Sequence, residues 1–547
     1  MTGFQGRIED RIGRAIAAYE SGAWAEAEAV CAAILKADRD QADALQILGN
    51  IRARSGDTQG AQPFFERARK AAPGNIYVLN SLGGVYAANG KLAEAREALE
   101  AALRIDGDFP WALQNLGGIL MELGDRPAAR RCFERALMAD PRHVDSIAAL
   151  ADLAEKENRL EDAGLLVRQA LTIAPGFLPA RVVDARLALR EGRPEAAEPA
   201  LRQVIAQLGN AKPSLRATAV HFLGEALESQ GRYAEAFEAF REANEIERKV
   251  QEPRFADVAF AASPATITKL TAFLRTADPA DWPPPPPDGL PTPAFLVGFP
   301  RSGTTLLQQV LAGHPDVVTL EEQDNFRDAH EELLLPPRAL EGWASLPPAT
   351  LAKWRAEYWR RVERRTGALA PGRLYLDKLP LNLAVLPVIH LLFPGARILL
   401  ALRDPRDAVL SCYRSHFAVN GGMFQFLTLE GAARYYDAVM GVATLSRERL
   451  PLPVHALRYE DLVGNFRNEV TRVLGFLGLS WADDVLRYAE TARGRTIQTP
   501  SATQVIKPIY ASAIGQWRRY EAALAPVLPI LEPWVRRFGY DDLSGLA

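Results

Sequence analysis

The sequence predicts an α-helical superhelix of repeated helix pairs, followed by an α/β domain built on a central parallel sheet. Three observations carry that prediction. A glycine recurs at a fixed interval through the first part of the chain. Beyond residue 294, apolar strand-like runs alternate with helical segments. The first of those runs ends in a glycine-bounded loop that restarts with helical apolar spacing. At 547 residues the chain has ample length for more than one core.

The recurrence comes first in the chain. Gly22, Gly56, Gly90, Gly124, Asn158 and Gly192 follow at intervals of 34, and Gly231 comes 39 later. Five residues after each stands an alanine: Ala27, Ala61, Ala95, Ala129, Ala163, Ala197 and Ala236. Pro73, Pro141 and Pro175 mark repeat ends. This pattern resembles the tetratricopeptide repeat (TPR), with about seven helix-turn-helix units over residues 1–250. Each helix pair then buries its apolar face only on its neighbours. The resemblance implies a right-handed superhelix whose groove holds a peptide or helix of another protein; a spacer or dimerisation arm is the alternative. Tyr77, Tyr86, Phe109 and Trp111 are candidates for the groove, although helical spacing assigns most such residues to the core.

Between 251 and 293 the periodicity stops. The run DWPPPPPDGLPTP at 281–293 reads as a stiff, extended, proline-rich linker, with an SH3-type ligand as the other reading. The remaining 294–547 form the α/β domain. Strand-like runs at 294–297, 396–402 and 454–457 each end at a motif, where ligands of parallel sheets bind.

The first motif is the loop GFPRSG at 298–303, followed by Thr304 and Thr305. A strand, a glycine-bounded turn and a helix N-terminus form an anion cradle, because backbone N–H groups and the helix dipole face the loop. The glycine spacing is that of a P-loop, but Thr304 stands where a nucleotide triphosphatase carries lysine, and Arg301 sits inside the loop. A kinase uses that lysine and Mg²⁺ to manage a triphosphate. The run PRSGTT at 300–305 resembles instead the 5′-phosphosulfate loop of sulfotransferases, which bind 3′-phosphoadenosine 5′-phosphosulfate (PAPS). The resemblance implies donor contacts at Arg301, Ser302, Gly303, Thr304 and Thr305.

Farther on, a strand-like run ends at Arg403, and Ser411 follows eight residues later in the next helix. This looks like the 3′-phosphate motif of the same enzymes, with Arg403 and Ser411 as contacts. The planar arginine fork suits a phosphate dianion; an Arg–Asp ion pair closing the strand is the bland alternative. ATP has no 3′-phosphate, which weighs against a kinase.

Between these motifs lies DKLPLN at 377–382, where Lys378 occupies roughly the place of the catalytic histidine in cytosolic sulfotransferases. Lys378 would stabilise charge on the departing oxygen. The base is sought elsewhere. The segment HPDVVTLEE at 314–322 resembles the tyrosylprotein sulfotransferases, where a Glu-Glu pair follows His-Pro. By position Glu322 matches the catalytic base, with His416 as rival and a solvated acidic pair as the structural alternative. Resemblance continues at LRYEDL (457–462) and SATQVIKP (501–508), and implies that Tyr459 and Ser501 touch the donor, with Ser501 also supporting charge during transfer. Trp517 matches a tryptophan of the closing region; a structural role is equally open.

Three departures matter. Ser415 stands where an arginine usually follows the 3′-phosphate serine, and Gln516 where lysine often precedes the tryptophan. Asp324 replaces a basic residue that receives acidic peptide flanks, which argues against an acidic acceptor.

Composition narrows the class. A net charge of −3 gives no sign of a nucleic-acid partner. Cys31, Cys132 and Cys412 are too scattered for a disulfide framework or metal cluster, so no metal is expected and a reducing, cytoplasmic compartment fits. The first residues lack an apolar signal core, and the longest uncharged run, 379–396, is broken by three prolines, so no membrane insertion is expected. The expected activity is sulfuryl transfer from PAPS to a hydroxyl, with tyrosine of a protein or peptide as acceptor, delivered or recognised through the repeats. A carbohydrate or small-molecule acceptor is the alternative within that class. A repeat scaffold carrying an inactive domain and a small-molecule P-loop kinase are the alternatives outside it.

Overall fold

The computed structural model describes residues 2–209, 212–337, 340–488 and 513–541. The chain divides into two compact units, Met1–Val204 and Ile205–Ala547.

The first unit is a succession of helix pairs such as Ala42–Arg54 with Thr58–Ala71, Ile76–Ala88 with Leu92–Ile105, and Pro110–Glu122 with Arg126–Ala139. The turn between helices needs a left-handed residue: Gly56, Gly90 and Gly124 have φ of 88°, 77° and 82°. Asn158 breaks the glycine series but adopts φ 61°, so asparagine meets the same requirement. Within each pair a second small residue admits a large one. A Cβ at Gly49, Gly83 or Gly117 would lie within 2.8 Å of Phe65, Leu99 or Phe133. These partners also recur every 34 residues, and all are buried. Of the aromatics, Tyr86 and Phe109 join the core. Tyr77 and Trp111 remain exposed, packed edge-on against Phe109 and His143 at 5.4 and 4.3 Å between centroids.

The second unit contains helices Pro213–Ser229 and Tyr233–Phe255, then helix Pro264–Thr276, then an α/β domain. Its sheet has five parallel strands: β1 (Ala294–Gly298), β2 (Val317–Leu320), β3 (Leu374–Lys378), β4 (Ile398–Leu402) and β5 (Val454–Arg458). They are ordered β2-β3-β1-β4-β5. β1 lies at the centre and is buried along its whole length, as an uninterrupted apolar strand covered on both faces should be. Phe295 and Val297 point into one core cluster, while Ala294 and Leu296 point into the other.

Residues 251–293 differ from the expected spacer. Ile267, Leu270 and Leu274, at helical spacing, enter the same core as β1, and Trp282 packs on Trp343 at 4.9 Å. Arg355 donates from Nε and Nη2 to the Asp288 carboxylate at 2.6 and 2.9 Å. Apolar residues and a charge partner beyond the proline run explain why this segment is held against the domain. Among the described residues, no helix is long and apolar enough to cross a membrane.

Candidate active site

All five strands end at one edge of the sheet, and each delivers a residue singled out in the sequence. β1 runs into the loop 299–303, β2 into Glu321 and Glu322, β3 ends at Lys378, β4 leads to Arg403 and β5 to Tyr459.

The loop turns back on itself through two left-handed residues, Arg301 at φ 70° and Gly303 at φ 89°. Gly303 is required twice over. Its conformation is costly for any side chain, and a Cβ would stand 2.7 Å from Cδ2 of Tyr459. Helix Thr304–Ala312 follows, with Ser302, Thr304 and Thr305 all buried and no side-chain cap on its N-terminus. The expected result for Gly303→Ala is a displaced Tyr459 and a fold less stable by roughly 1–3 kcal/mol from backbone strain, read as a lower melting temperature.

Arg403 and Arg301 meet. Arg403 Nη1 donates to the Arg301 carbonyl at 2.9 Å, and Arg301 Nε donates to Ser411 Oγ at 3.0 Å. The loop after β1 and the strand-helix motif after β4 therefore share one hydrogen-bond chain. Arg403 Nη2 donates to the carbonyl of Ala513 at 2.5 Å, and its guanidinium lies 5.3 Å from the Tyr459 ring centroid. Arg403 Nε is buried without a hydrogen-bond partner among the described residues. A buried, always-charged guanidinium with an unused donor fits an anionic ligand.

Residues that sequence reading did not assign hold this arrangement. Asp407, one turn after Arg403, accepts from the backbone N–H groups of Gly515 and Trp517 at 2.7 and 2.8 Å. Burial raises its carboxyl above the usual range, against the pull of Arg403. Glu460 accepts from Asp404 N at 3.1 Å and from the Tyr540 hydroxyl at 2.8 Å. Arg406 covers the Trp517 ring at 4.0 Å, so this tryptophan is fixed from both its backbone and its face. The acidic residues of RDPRD and RYED were the only sequence signal, and they read equally as solvated charge.

On the other side of β1, Lys378 Nζ donates to Glu322 Oε1 at 2.5 Å. The lysine is nearly sealed from solvent and the glutamate is not, with side-chain exposures of 2% and 37%. A buried ammonium needs a partner, and Glu322 provides it while still reaching solvent. Next to Lys378, Asp377 is fully buried and accepts from Asn325 Nδ2 and the Tyr358 hydroxyl at 2.9 and 2.8 Å. Burial pushes its carboxyl up to about 6, against these hydrogen bonds and Arg365.

This acid binds its proton more tightly in the folded than in the unfolded chain. Folding stability therefore falls as pH rises from about 4 to above 6, where both states are ionised. Asp377→Asn, which cannot ionise, is expected to lose that dependence. It should gain on the wild type through this window by on the order of 2–3 kcal/mol, read as melting temperature against pH.

The other assigned residues fall out as follows. His416 packs on His221 and Phe222, at 5.0 and 5.6 Å between centroids, so its ring faces helix Pro213–Ser229. Ser415 turns back to donate to the Ser411 carbonyl at 2.5 Å. The Asp324 carboxylate lies 3.1 Å from His330 Nδ1. Ser501, together with Lys507, lies outside the described residues.

Comparison with known proteins adds the family. Residues 293–483 match the model of the sulfotransferase family. Two tetratricopeptide-repeat models match residues 52–114 and 86–153, and residues 12–76 and 184–246. An uncharacterised protein of Aquifex aeolicus is 27% identical over 72% of this chain, which spans 51% of that protein's length. Protein-tyrosine sulfotransferase 1 of Danio rerio is 27% identical over 45% of this chain and 72% of its own. A tetratricopeptide repeat protein from Parabacteroides merdae aligns over 45% of this chain and 96% of its own, at 18% identity and a TM-score of 0.36. The chain thus carries tetratricopeptide repeats in its N-terminal part and, at residues 293–483, a domain of the sulfotransferase family.

Proposed function

We propose that this protein transfers a sulfuryl group from PAPS to a hydroxyl acceptor, most specifically the phenolic oxygen of a tyrosine in a protein or peptide. The observation that carries the reading is the Arg403–Arg301–Ser411 hydrogen-bond chain, which joins an anion loop to a second anion motif inside a sulfotransferase-family domain. Bound PAPS would supply the sulfuryl group and depart as adenosine 3′,5′-bisphosphate. Arg301, Ser302, Gly303, Thr304 and Thr305 would hold its 5′ end through backbone and hydroxyl donors at a helix N-terminus. Arg403 and Ser411 would hold the 3′-phosphate, and Tyr459 would pack beside them.

Glu322 is the proposed base: it accepts the acceptor's hydroxyl proton as that oxygen bonds to sulfur and the bond from sulfur to the departing oxygen breaks. The carboxylate is partly exposed, as a group that meets an incoming hydroxyl must be. Lys378, buried beside it, orients Glu322 and places a positive charge where negative charge develops. Arg301 and Ser501 complete that electrostatic support in this proposal.

The repeats are proposed to hold the acceptor protein or a partner, with the exposed Tyr77 and Trp111 available for contact. The proposed setting is the reducing cytoplasm, which suits the three free thiols. The relationship to a protein-tyrosine sulfotransferase favours tyrosine over sugar or small-molecule hydroxyls. The test supplies labelled PAPS with tyrosine peptides, oligosaccharides or small phenols. Tyrosine sulfate after hydrolysis supports the reading, and label in the sugar alone replaces the acceptor. A folded protein that neither binds adenosine 3′,5′-bisphosphate nor transfers label is a scaffold.

A further inference from the structure

We propose that Arg414 is a further contact for the donor's 3′-phosphate and that Glu228 is its positioning residue. Glu228 lies on helix Pro213–Ser229, nearly two hundred residues earlier in the chain. The inference rests on the PAPS reading above and extends the donor site beyond the sheet.

Arg414 follows Ser411 by three positions, at the end of helix Pro405–Tyr413, which places both side chains on one face. Ser411 is already tied to Arg301, so this face looks toward the loop. Ser415 donates to a helix carbonyl instead and brings no charge. Arg414 is the next cation along that face.

Its side chain is held rather than loose. Nη1 donates to Glu228 Oε1 and Nη2 to Gln516 Oε1, with the arginine side chain only 16% exposed and the glutamate 23%. Glu228 is itself fixed, because the buried Tyr520 hydroxyl donates to the same Oε1 at 2.8 Å. Around this centre the helix pair is anchored by Asn244 Nδ2, which donates to the Tyr413 carbonyl at 2.8 Å, and by Phe237 against Tyr413 and Tyr520.

A guanidinium has five donors in a rigid fork, so one edge can be pinned while the rest binds a phosphate. Holding a long side chain in place beforehand lowers the entropy lost when the ligand binds. Helix Pro213–Ser229 thereby becomes part of the donor site.

The experiment compares adenosine 3′,5′-bisphosphate with adenosine 5′-monophosphate, which lacks the 3′-phosphate, by calorimetry on the full chain. The proteins are wild type, Arg414→Ala, Glu228→Ala, Glu228→Gln and the double alanine variant. Arg414→Ala is expected to weaken the bisphosphate about tenfold or more and the monophosphate little, the size of one charge-assisted contact. Glu228→Ala should weaken the bisphosphate several-fold with the same selectivity, and the double variant should be no worse than Arg414→Ala. Glu228→Gln keeps an acceptor for Arg414 and Tyr520 and should recover most of the loss. If Glu228→Ala does not fold, the nucleotide selectivity of Arg414→Ala carries the test.

Bisphosphate binding equal to wild type in Arg414→Ala or in a folded Glu228→Ala, or equal losses for the two nucleotides, overturns the proposal while leaving the sulfotransferase reading intact. A folded wild type that binds no bisphosphate removes the reading and the proposal together.

Discussion

Replacing Glu322 by alanine is expected to abolish most sulfuryl transfer, by ~10²-fold or more, while leaving donor binding near wild type, because a positioned base contributes about that much. The geometry sharpens the test. Glu322 is the partner of Lys378, so the alanine variant also strands a nearly sealed ammonium. Glu322→Gln keeps the shape and a carbonyl acceptor for Lys378, but a neutral amide takes up no proton. Both variants should therefore lose kcat alike, whereas the alanine variant should lose the more thermal stability. A glutamine variant with near wild-type turnover would mean that Glu322 serves Lys378 and nothing else. The complementary Lys378→Ala variant should lower kcat as well, with the bisphosphate affinity little changed.

The sheet was legible because β1 and β4 are buried on both faces, which forces apolar runs such as 294–297 and 396–402. β2 and β3 escaped that signal: β2 has only four residues and is followed at once by Glu321, and β3 ends in Asp377 and Lys378, so polar function masks the strand pattern. The repeats were legible through their turn residue and its alanine. The deeper regularity, Gly49, Gly83 and Gly117 facing Phe65, Leu99 and Phe133, emerges only when the two helices of a pair are laid together.

The site divides in the same way. Residues bound by local geometry, such as Arg301 and Gly303 in a tight loop, carry their signature in adjacent letters. Residues that act across the fold do not. Asp407 is recognised by what returns to it, Gly515 and Trp517, and Glu228 by an arginine almost two hundred positions away. The proline run misled for a related reason. Its stiffness is local, but Trp282 and Asp288 around it find partners at Trp343 and Arg355, and long-range partners decide whether a segment is a spacer or a strap.

Arg403→Ala is expected to weaken adenosine 3′,5′-bisphosphate by about ten- to a hundredfold, the range for hydrogen bonds to a charged group, and to spare adenosine 5′-phosphosulfate. The selectivity matters more than the size. Arg403 also donates to the carbonyls of Arg301 and Ala513, so its loss disturbs the loop that would hold the 5′ end. If the guanidinium served only that scaffold, both nucleotides would weaken together. If it meets the 3′-phosphate through its Nε, which has no partner among the described residues, the bisphosphate suffers the larger loss. Arg403→Lys separates the two contributions further, since an ammonium keeps the charge without the fork. It should recover part of the bisphosphate affinity while leaving at least one of the two carbonyl contacts unmade. Equal losses for both nucleotides in both variants would assign Arg403 to the loop alone, and the second anion motif would then have to be sought at Ser411 and Arg414.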